Sequence, residues 1–323
     1  MTSEPIRSEA IEGVYLCSKL DLPDLFGSVL EGLPNIRIYR PEDVPDPARI
    51  RFALVWQPDA HAFDLYPNIE LVQVIAAGVD GVLQTPGLPE SAVVTRVHDH
   101  EQAATMAGFA VWHVVWHHRK MGAYLEAQQN RDWKRTALEV LRPPSTVTVG
   151  ILGYGLMGRT VAKAVAALGF NLVVATRTAG TSEDGITRLA GDTAIQQVAA
   201  QSDILINILP MTDATKNILN AVLFNSMPKG AALIQIGRGR HLVEEDLLEA
   251  LASGQISGAS LDVFSVEPLP KEHPFWTHPK IVMTPHEASV TSATAVADAL
   301  LRSVCEISEG KRPTTAVNTA DGY

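Results

Sequence analysis

Short apolar runs alternate with helical patterns along most of the chain. In the N-terminal part, Gly13–Ser18, Ile36–Tyr39, Phe52–Trp56, Leu71–Ile75 and Val93–Val97 have the length and the β-branched or aliphatic content of strands. Proline, glycine and aspartate punctuate them, and Asp21–Leu30 carries its apolar residues at helical spacing. The later part repeats the scheme. Thr146–Leu152, Asn171–Thr176, Asp203–Leu209, Ala232–Ile236, Ser257–Val263 and Ile281–Thr284 read as strands, and Thr160–Leu168 and Glu244–Ala252 as helices. Apolar strands separated by helices predict parallel sheets covered on both faces, so the fold class is α/β and doubly wound. At 323 residues the chain is long enough for two such domains, since a domain usually takes ~100–200 residues.

One region breaks the alternation. From Glu101 to about Arg135 the pattern is helical and strongly apolar, with Trp112 and Trp116, and His113 and His117, at i, i+4 spacing. The segment between the histidines is V-V-W, without the acid of H-E-x-x-H, so no metal site is expected there. The apolar width exceeds what one core face needs, which predicts burial against a second copy of the chain. Arg142-Pro143-Pro144-Ser145 ends this region.

The strand Thr146–Leu152 runs into G-Y-G-L-M-G, with Gly153, Gly155 and Gly158, and a helical segment follows. Strand, G-x-G-x-x-G and helix together are the dinucleotide-binding fingerprint. Gly153 permits the tight turn, Gly155 lets a pyrophosphate approach the backbone, and Gly158 lets the helix lie close to the strand. The helix N-terminus then offers N–H groups and partial positive charge to the phosphates. About 20 residues past the glycines such units usually carry an acid for the ribose 2′-hydroxyl. This chain has Thr176-Arg177-Thr178 there, an arginine between two hydroxyls, which suits a 2′-phosphate and hence NADP.

Strands of one parallel sheet present ligands beyond their carboxyl ends. Three polar residues fall at such ends: Arg238 between two glycines, Glu267 in D-V-F-S-V-E-P-L-P, and His286 after Pro285. They are candidates for an anion-binding cation, a carboxylate partner and a proton donor. In the N-terminal part Trp56 closes one strand. The small turn Ala76-Ala77-Gly78-Val79-Asp80 closes another and can offer backbone N–H groups to a carboxylate.

Composition narrows the classes. Hydrophobic content of 46% and charged content of 19% suit a globular protein with a sizeable core. A net charge of −10 disfavours nucleic acid and anionic membranes as partners. No apolar run approaches ~20 residues, and Met1–Ala10 lacks a signal-peptide core, so no membrane span or export is expected. The two cysteines, Cys17 and Cys305, have no metal or redox spacing, which points to a cytoplasmic protein.

Taken together, G-Y-G-L-M-G (153–158), L-P-M-T-D-A-T (209–215), I-G-R-G-R-H-L-V-E-E-D-L-L-E-A-L (236–251), L-D-V-F-S-V-E-P-L-P (261–270) and T-P-H-E-A-S (284–289) resemble the D-2-hydroxyacid dehydrogenase family. The likeness covers about 145 to 290. Arg177 and the terminal Gly322-Tyr323 bring it near the family's bacterial glyoxylate/hydroxypyruvate reductases. The resemblance implies a Rossmann cofactor domain, 104–289, inserted into a flavodoxin-like substrate domain formed by 1–103 and 290–323. It implies a homodimer, NADPH as cofactor, and reduction of small 2-oxo acids. Arg238, Glu267 and His286 are then catalytic, and Ala77 and Gly78 contact the substrate; Trp56, from its place at a strand end, is read as a wall of the substrate pocket. Cofactor contacts fall to Gly153, Tyr154, Gly155, Leu156, Met157, Gly158, Thr176, Arg177, Thr178, Leu209, Pro210, Thr215, Ile236, Gly237, Arg238 and Asp262. Two other readings stand beside this one: an NADPH reductase of larger or aromatic 2-oxo acids, and a dinucleotide-sensing protein of the corepressor type.

Overall fold

The computed structural model describes residues 10–133, 135, 142–181, 185–319 and 322. The chain divides into two compact units, Met1–Asp99 with Thr291–Tyr323, and His100–Val290. The division falls at Asp99 rather than at residue 103, because the helix His100–His118 packs along the helix Leu156–Ala166 and so belongs wholly to the second unit.

The first unit is a five-stranded parallel sheet, β1 (Ile11–Cys17), β2 (Ile36–Tyr39), β3 (Ile50–Trp56), β4 (Leu71–Val74) and β5 (Val93–Thr95), in the order β2-β1-β3-β4-β5. That is the flavodoxin-like order. Alternate residues feed opposite faces. Ala53 and Val55 pack with Phe63, Val79 and Val82, whereas Phe52 and Leu54 pack with the helix Leu22–Leu30 and the C-terminal helix Ala293–Ser308. That last helix is also tied to the sheet by polar bonds: Gln73 Oε1 accepts from Thr95 Oγ1 at 2.8 Å and from Ser303 Oγ at 3.0 Å. The chain then returns beside β5, where Val317 N–H donates to the Val94 carbonyl at 2.8 Å.

The second unit is a seven-stranded parallel sheet, β6 (Thr148–Leu152), β7 (Asn171–Thr176), β8 (Ile186–Ala190), β9 (Ile204–Asn207), β10 (Ala231–Gln235), β11 (Ile256–Leu261) and β12 (Ile281–Met283), in the order β12-β11-β10-β9-β6-β7-β8. The chain steps outward from β6 in one direction, then restarts beside it with β9. This Rossmann order places the ligand crevice at the carboxyl ends of β6 and β9. Leu172, Val174, Ile204 and Ile206 face the helices His100–His118 and Leu156–Ala166; Val173, Ala175 and Leu205 face the helices on the other side.

Two features depart from the sequence reading. β8 is a strand that the apolar pattern did not mark, because Thr187 and Arg188 interrupt it; as an edge strand it buries only Ile186 fully. The helical region expected from Glu101 to Arg135 is two helices, His100–His118 and Met121–Gln129, parted by Lys120 in the left-handed region at φ 52°. Among the described residues no helix is long and apolar enough to cross a membrane.

Candidate active site

The crevice beyond β6 begins with the glycine turn. Gly153 has φ +101°, and a Cβ there would stand 2.9 Å from the Ile208 carbonyl oxygen. At Gly158 a Cβ would stand 2.0 Å from the Gly153 carbonyl oxygen, so the helix Leu156–Ala166 rests directly on the turn. Gly155 is different: it is exposed and nothing lies within 4 Å of where its Cβ would be. As the helix N-cap it supplies no side-chain bond to the first-turn N–H groups. An open glycine over an uncapped helix N-terminus fits a pyrophosphate. Leu156 and Met157 form the half-buried first turn. Tyr154 instead points inward, with the guanidinium carbons of Arg159 and Arg188 at 5.4 and 5.3 Å from its ring centroid.

At the end of β7, Thr176 Oγ1 donates to the Thr178 carbonyl at 2.8 Å and lies 3.3 Å from the Leu189 carbonyl. These contacts fold the Thr-Arg-Thr turn and leave Arg177 and Thr178 exposed. The turn has no carboxylate, which fits a phosphorylated ribose. Across the crevice, Leu209 and Pro210 follow β9. The Thr215 hydroxyl closes that loop, donating to the Pro210 carbonyl at 2.8 Å and accepting the Thr212 N–H at 2.8 Å.

β10 leads into Ile236, which is buried, and then Gly237-Arg238-Gly239. Arg238 Nη1 donates to the Gly237 carbonyl at 2.8 Å, which orients the guanidinium. The flanking glycines are there for lack of room. A Cβ on Gly237 would meet Asn207 Nδ2 at 2.9 Å and His241 Nδ1 at 3.0 Å, and one on Gly239 would meet the Phe264 carbonyl carbon at 1.9 Å.

β11 and β12 supply the other two polar residues. Asp262, just past β11, is 1% exposed, and its carboxylate accepts three bonds. Oδ1 accepts from Thr284 Oγ1 at 2.6 Å and from the Glu287 N–H at 2.8 Å, and Oδ2 accepts from the Ala288 N–H at 3.0 Å. The Asp262 carbonyl accepts the His286 N–H at 2.8 Å. This lattice holds the turn 284–288, in which His286 adopts the left-handed region at φ +61°. Glu267 sits three residues past Phe264, whose N–H its Oε1 accepts at 2.9 Å, while Oε2 lies 2.9 Å from His286 Nδ1. The bond from Glu267 raises the His286 pKa above its ordinary value; burial and the Arg238 charge oppose it without winning. Burial pushes the Glu267 carboxyl up, but the bonds from His286 and Phe264 and the charges of His286 and Arg238 outweigh it, and its pKa is lowered. Arg238 is therefore near enough for its charge to act on both partners.

The structure thus brings Arg238, Glu267 and His286 to one edge of one sheet, facing the same crevice end as the glycine turn. Trp56, Ala77 and Gly78 belong to the first unit, at the adjacent ends of β3 and β4. Trp56 is half-buried against both cores of that unit. Among the described residues no hydrogen bond takes up the N–H groups of Ala77 and Gly78. The sequence reading missed Asn207, Gln235, His241 and Thr284. Their signal was available for two of them: Asn207 and Gln235 are lone polar residues ending otherwise apolar strands. Burial lowers the pKa values of His113 and His117 to about 4 and about 3, and His117 Nε2 lies 2.8 Å from Ser260 Oγ.

The sequence pattern described as D-isomer specific 2-hydroxyacid dehydrogenase, NAD binding domain, matches residues 111–288. The chain belongs to the D-isomer specific 2-hydroxyacid dehydrogenases. It is 37% identical over 299 residues to glyoxylate/hydroxypyruvate reductase A of Serratia proteamaculans, covering 90% of this chain and 92% of that one. Among solved structures, this dehydrogenase is similar to a D-isomer specific 2-hydroxyacid dehydrogenase of Xanthobacter autotrophicus in complex with NADPH and MES. The TM-score is 0.89, with 32% identity and coverage of 98% and 100% of the two chains. It is also similar to the NADPH-dependent glyoxylate/hydroxypyruvate reductase of Sinorhizobium meliloti in complex with NADP and sulfate, with a TM-score of 0.88, 28% identity and coverage of 97% and 99%. The matched pattern lies inside the second unit of the dehydrogenase, around the crevice described above.

Proposed function

We propose that this dehydrogenase reduces small 2-oxo acids, glyoxylate and hydroxypyruvate, to 2-hydroxy acids with NADPH. The observation that carries the reading is the His286–Glu267 pair, 2.9 Å apart beside Arg238 at the strand-end edge of a dinucleotide fold. NADPH, when bound, supplies the hydride that goes to the 2-oxo carbon. The glycine turn and the helix N-terminus at Gly155 hold its pyrophosphate, Arg177 its 2′-phosphate, and the loop 209–215 and Ile236 flank it. Arg238 binds the substrate's carboxylate and polarises its oxo group.

His286 is the general acid. Its Nδ1–H is given to Glu267, so Nε2 is the nitrogen that releases a proton to the substrate oxygen as negative charge develops there. Glu267 accepts the same bond before and after the transfer, stabilising the imidazolium and fixing the ring. Asp262 holds the turn that presents His286. In the first unit, the N–H groups of Ala77 and Gly78 are available to a carboxylate, and Trp56 beside them limits substrate size.

The exposed apolar residues Trp112, Val115, Met121 and Leu125 form the surface of a homodimer in this reading. The cytosol is its compartment, consistent with free thiols at Cys17 and Cys305. The test is a set of initial rates on glyoxylate, hydroxypyruvate, a branched 2-oxo acid and phenylpyruvate, each with NADPH and NADH. Glyoxylate and hydroxypyruvate with NADPH should be fastest. A maximum on phenylpyruvate, or no turnover on any 2-oxo acid, would overturn the proposal.

A further inference from the structure

Beneath Arg238 lies a buried polar cluster with no part in the chemistry above. Asn207 ends β9, Gln235 ends β10, and the two are register partners. His241 lies over them in the short turn Gly239–His241, and all three are 0% exposed. Their bonds interlock. Asn207 Nδ2 donates to Gln235 Oε1 at 2.7 Å and to His241 Nδ1 at 2.9 Å. Gln235 Nε2 donates to the Arg238 carbonyl at 2.8 Å, and its Oε1 accepts the Gly237 N–H at 3.2 Å. His241 Nδ1 accepts the Arg238 N–H at 3.1 Å, and Nε2 lies 3.2 Å from the Pro210 carbonyl. Asn207 Oδ1 accepts the Leu209 N–H at 3.3 Å.

One protonation state satisfies this arrangement. Nδ1 faces two donors and must carry a lone pair; Nε2 faces a carbonyl and must carry hydrogen. The ring is therefore the neutral Nε2–H tautomer, and each nitrogen holds a different loop. Nδ1 holds the backbone of Arg238. Nε2 holds Pro210, at the start of the loop that flanks the cofactor crevice. Burying so many polar groups is tolerated only where each is paired, and a complete network of this kind is stiff.

We propose that His241 is a positioning residue: its two ring nitrogens separately fix the Arg238 backbone and the Pro210 loop, and so set the substrate-binding cation and the cofactor-flanking loop against each other. The inference rests on the role proposed for Arg238. Two near-isosteric variants divide the two bonds. In His241→Asn the amide oxygen replaces Nδ1 and the bond to Pro210 is lost. In His241→Gln the amide nitrogen replaces Nε2 and the bond to Arg238 is lost. The Gln variant should raise the glyoxylate KM by about tenfold with the NADPH KM nearly unchanged, and the Asn variant should do the reverse, as loss of one buried bond implies. NADPH affinity is also read without turnover, by fluorescence titration, where the Asn variant should bind more weakly than the Gln variant. Parallel changes in both variants, or a drop in thermal stability with both KM values unmoved, would show a merely structural histidine. If the unaltered protein turned over no 2-oxo acid, the proposed function would fall, and the fluorescence titration would still decide this inference: equal NADPH affinities in the two variants overturn it.

Discussion

Gly239 and Phe264 are in backbone contact: a methyl group on Gly239 would stand 1.9 Å from the Phe264 carbonyl carbon and 2.0 Å from its oxygen. The contact joins two strand-end loops. One carries Arg238. The other starts at Phe264, whose N–H holds Glu267, which in turn holds His286. The Arg238 loop is therefore set against the Phe264 loop by main chain on main chain, and the Glu267 carboxylate carries that placement on to His286.

Gly239→Ala should consequently be costly. Overpacking a tight site costs ~1–3 kcal/mol, and here the obstructing atoms are backbone, so the upper part of that range is expected. The melting temperature should fall and kcat with it. Gly155→Ala is the matched control. Its Cβ enters open space, so no clash is added, and the loss should stay near the roughly 0.5–1 kcal/mol by which alanine is the poorer N-cap. NADPH affinity should drop, because the methyl stands where the pyrophosphate approaches. Thermal melts and fluorescence titrations of the two variants separate the cases; equal losses of stability would contradict the contact.

The His286 pair predicts a pH profile. Reduction needs the imidazolium, and the bond from Glu267 raises the His286 pKa above its usual value. Activity should be complete below that raised pKa and decline as pH climbs through it. Glu267→Gln removes the charge that favours the imidazolium, so the decline should move to lower pH. His286→Ala should lower kcat by ~10²–10⁴-fold, the usual contribution of a general acid, while NADPH still binds. A pH–rate profile unaltered by Glu267→Gln would dissociate the two residues.

The parts of the site that local pattern encodes were legible in the sequence. A strand ending in G-x-G-x-x-G announces its own turn, and Arg238, Glu267 and His286 could be placed at one edge because parallel strands share it. What could not be read was how distant segments lock together. Asp262 was expected near the cofactor from resemblance, and its bonds to the turn 284–288 were not foreseen, because that pairing is created by the adjacency of β11 and β12. His241 had no periodicity to mark it, since its partners come from the ends of two other strands. β8 escaped because an edge strand needs little apolar content, and the break at Lys120 is a backbone choice that composition does not record.

The assembly is testable on the same helix. Trp112 is 51% exposed although it stacks on Trp116 with ring centroids 5.1 Å apart, and Val115 and Leu125 are exposed near it in sequence. A two-fold homodimer would cover them with the same face from each copy. Light scattering should give a dimer for the unaltered protein. Trp112→Glu with Val115→Glu should give a folded monomer, because neither side chain is part of the core. A monomer at all concentrations in the unaltered protein would refute the assignment.

The end of β7 should decide the nicotinamide cofactor. An acid there accepts bonds from a free 2′-hydroxyl and repels a 2′-phosphate. The Thr176-Arg177-Thr178 turn lacks the acid and exposes a guanidinium, whose planar donors match phosphate geometry. Hydrogen bonds to charged groups contribute roughly 1.5–3 kcal/mol, and solvent at this exposed turn trims that figure. The expected preference for NADPH over NADH in kcat/KM is therefore about tenfold, rising toward a hundredfold only if the phosphate is well enclosed. Arg177→Ala alone should remove most of it, through the NADPH KM and with kcat nearly unchanged, because the turn lies at the adenosine end. Adding Thr176→Asp should reverse the order, at a cost in stability, since the Thr176 hydroxyl donates to the Thr178 carbonyl and aspartate cannot. Equal efficiencies with the two cofactors in the unaltered enzyme would mean that Arg177 does not reach the phosphate and that the discrimination is made elsewhere.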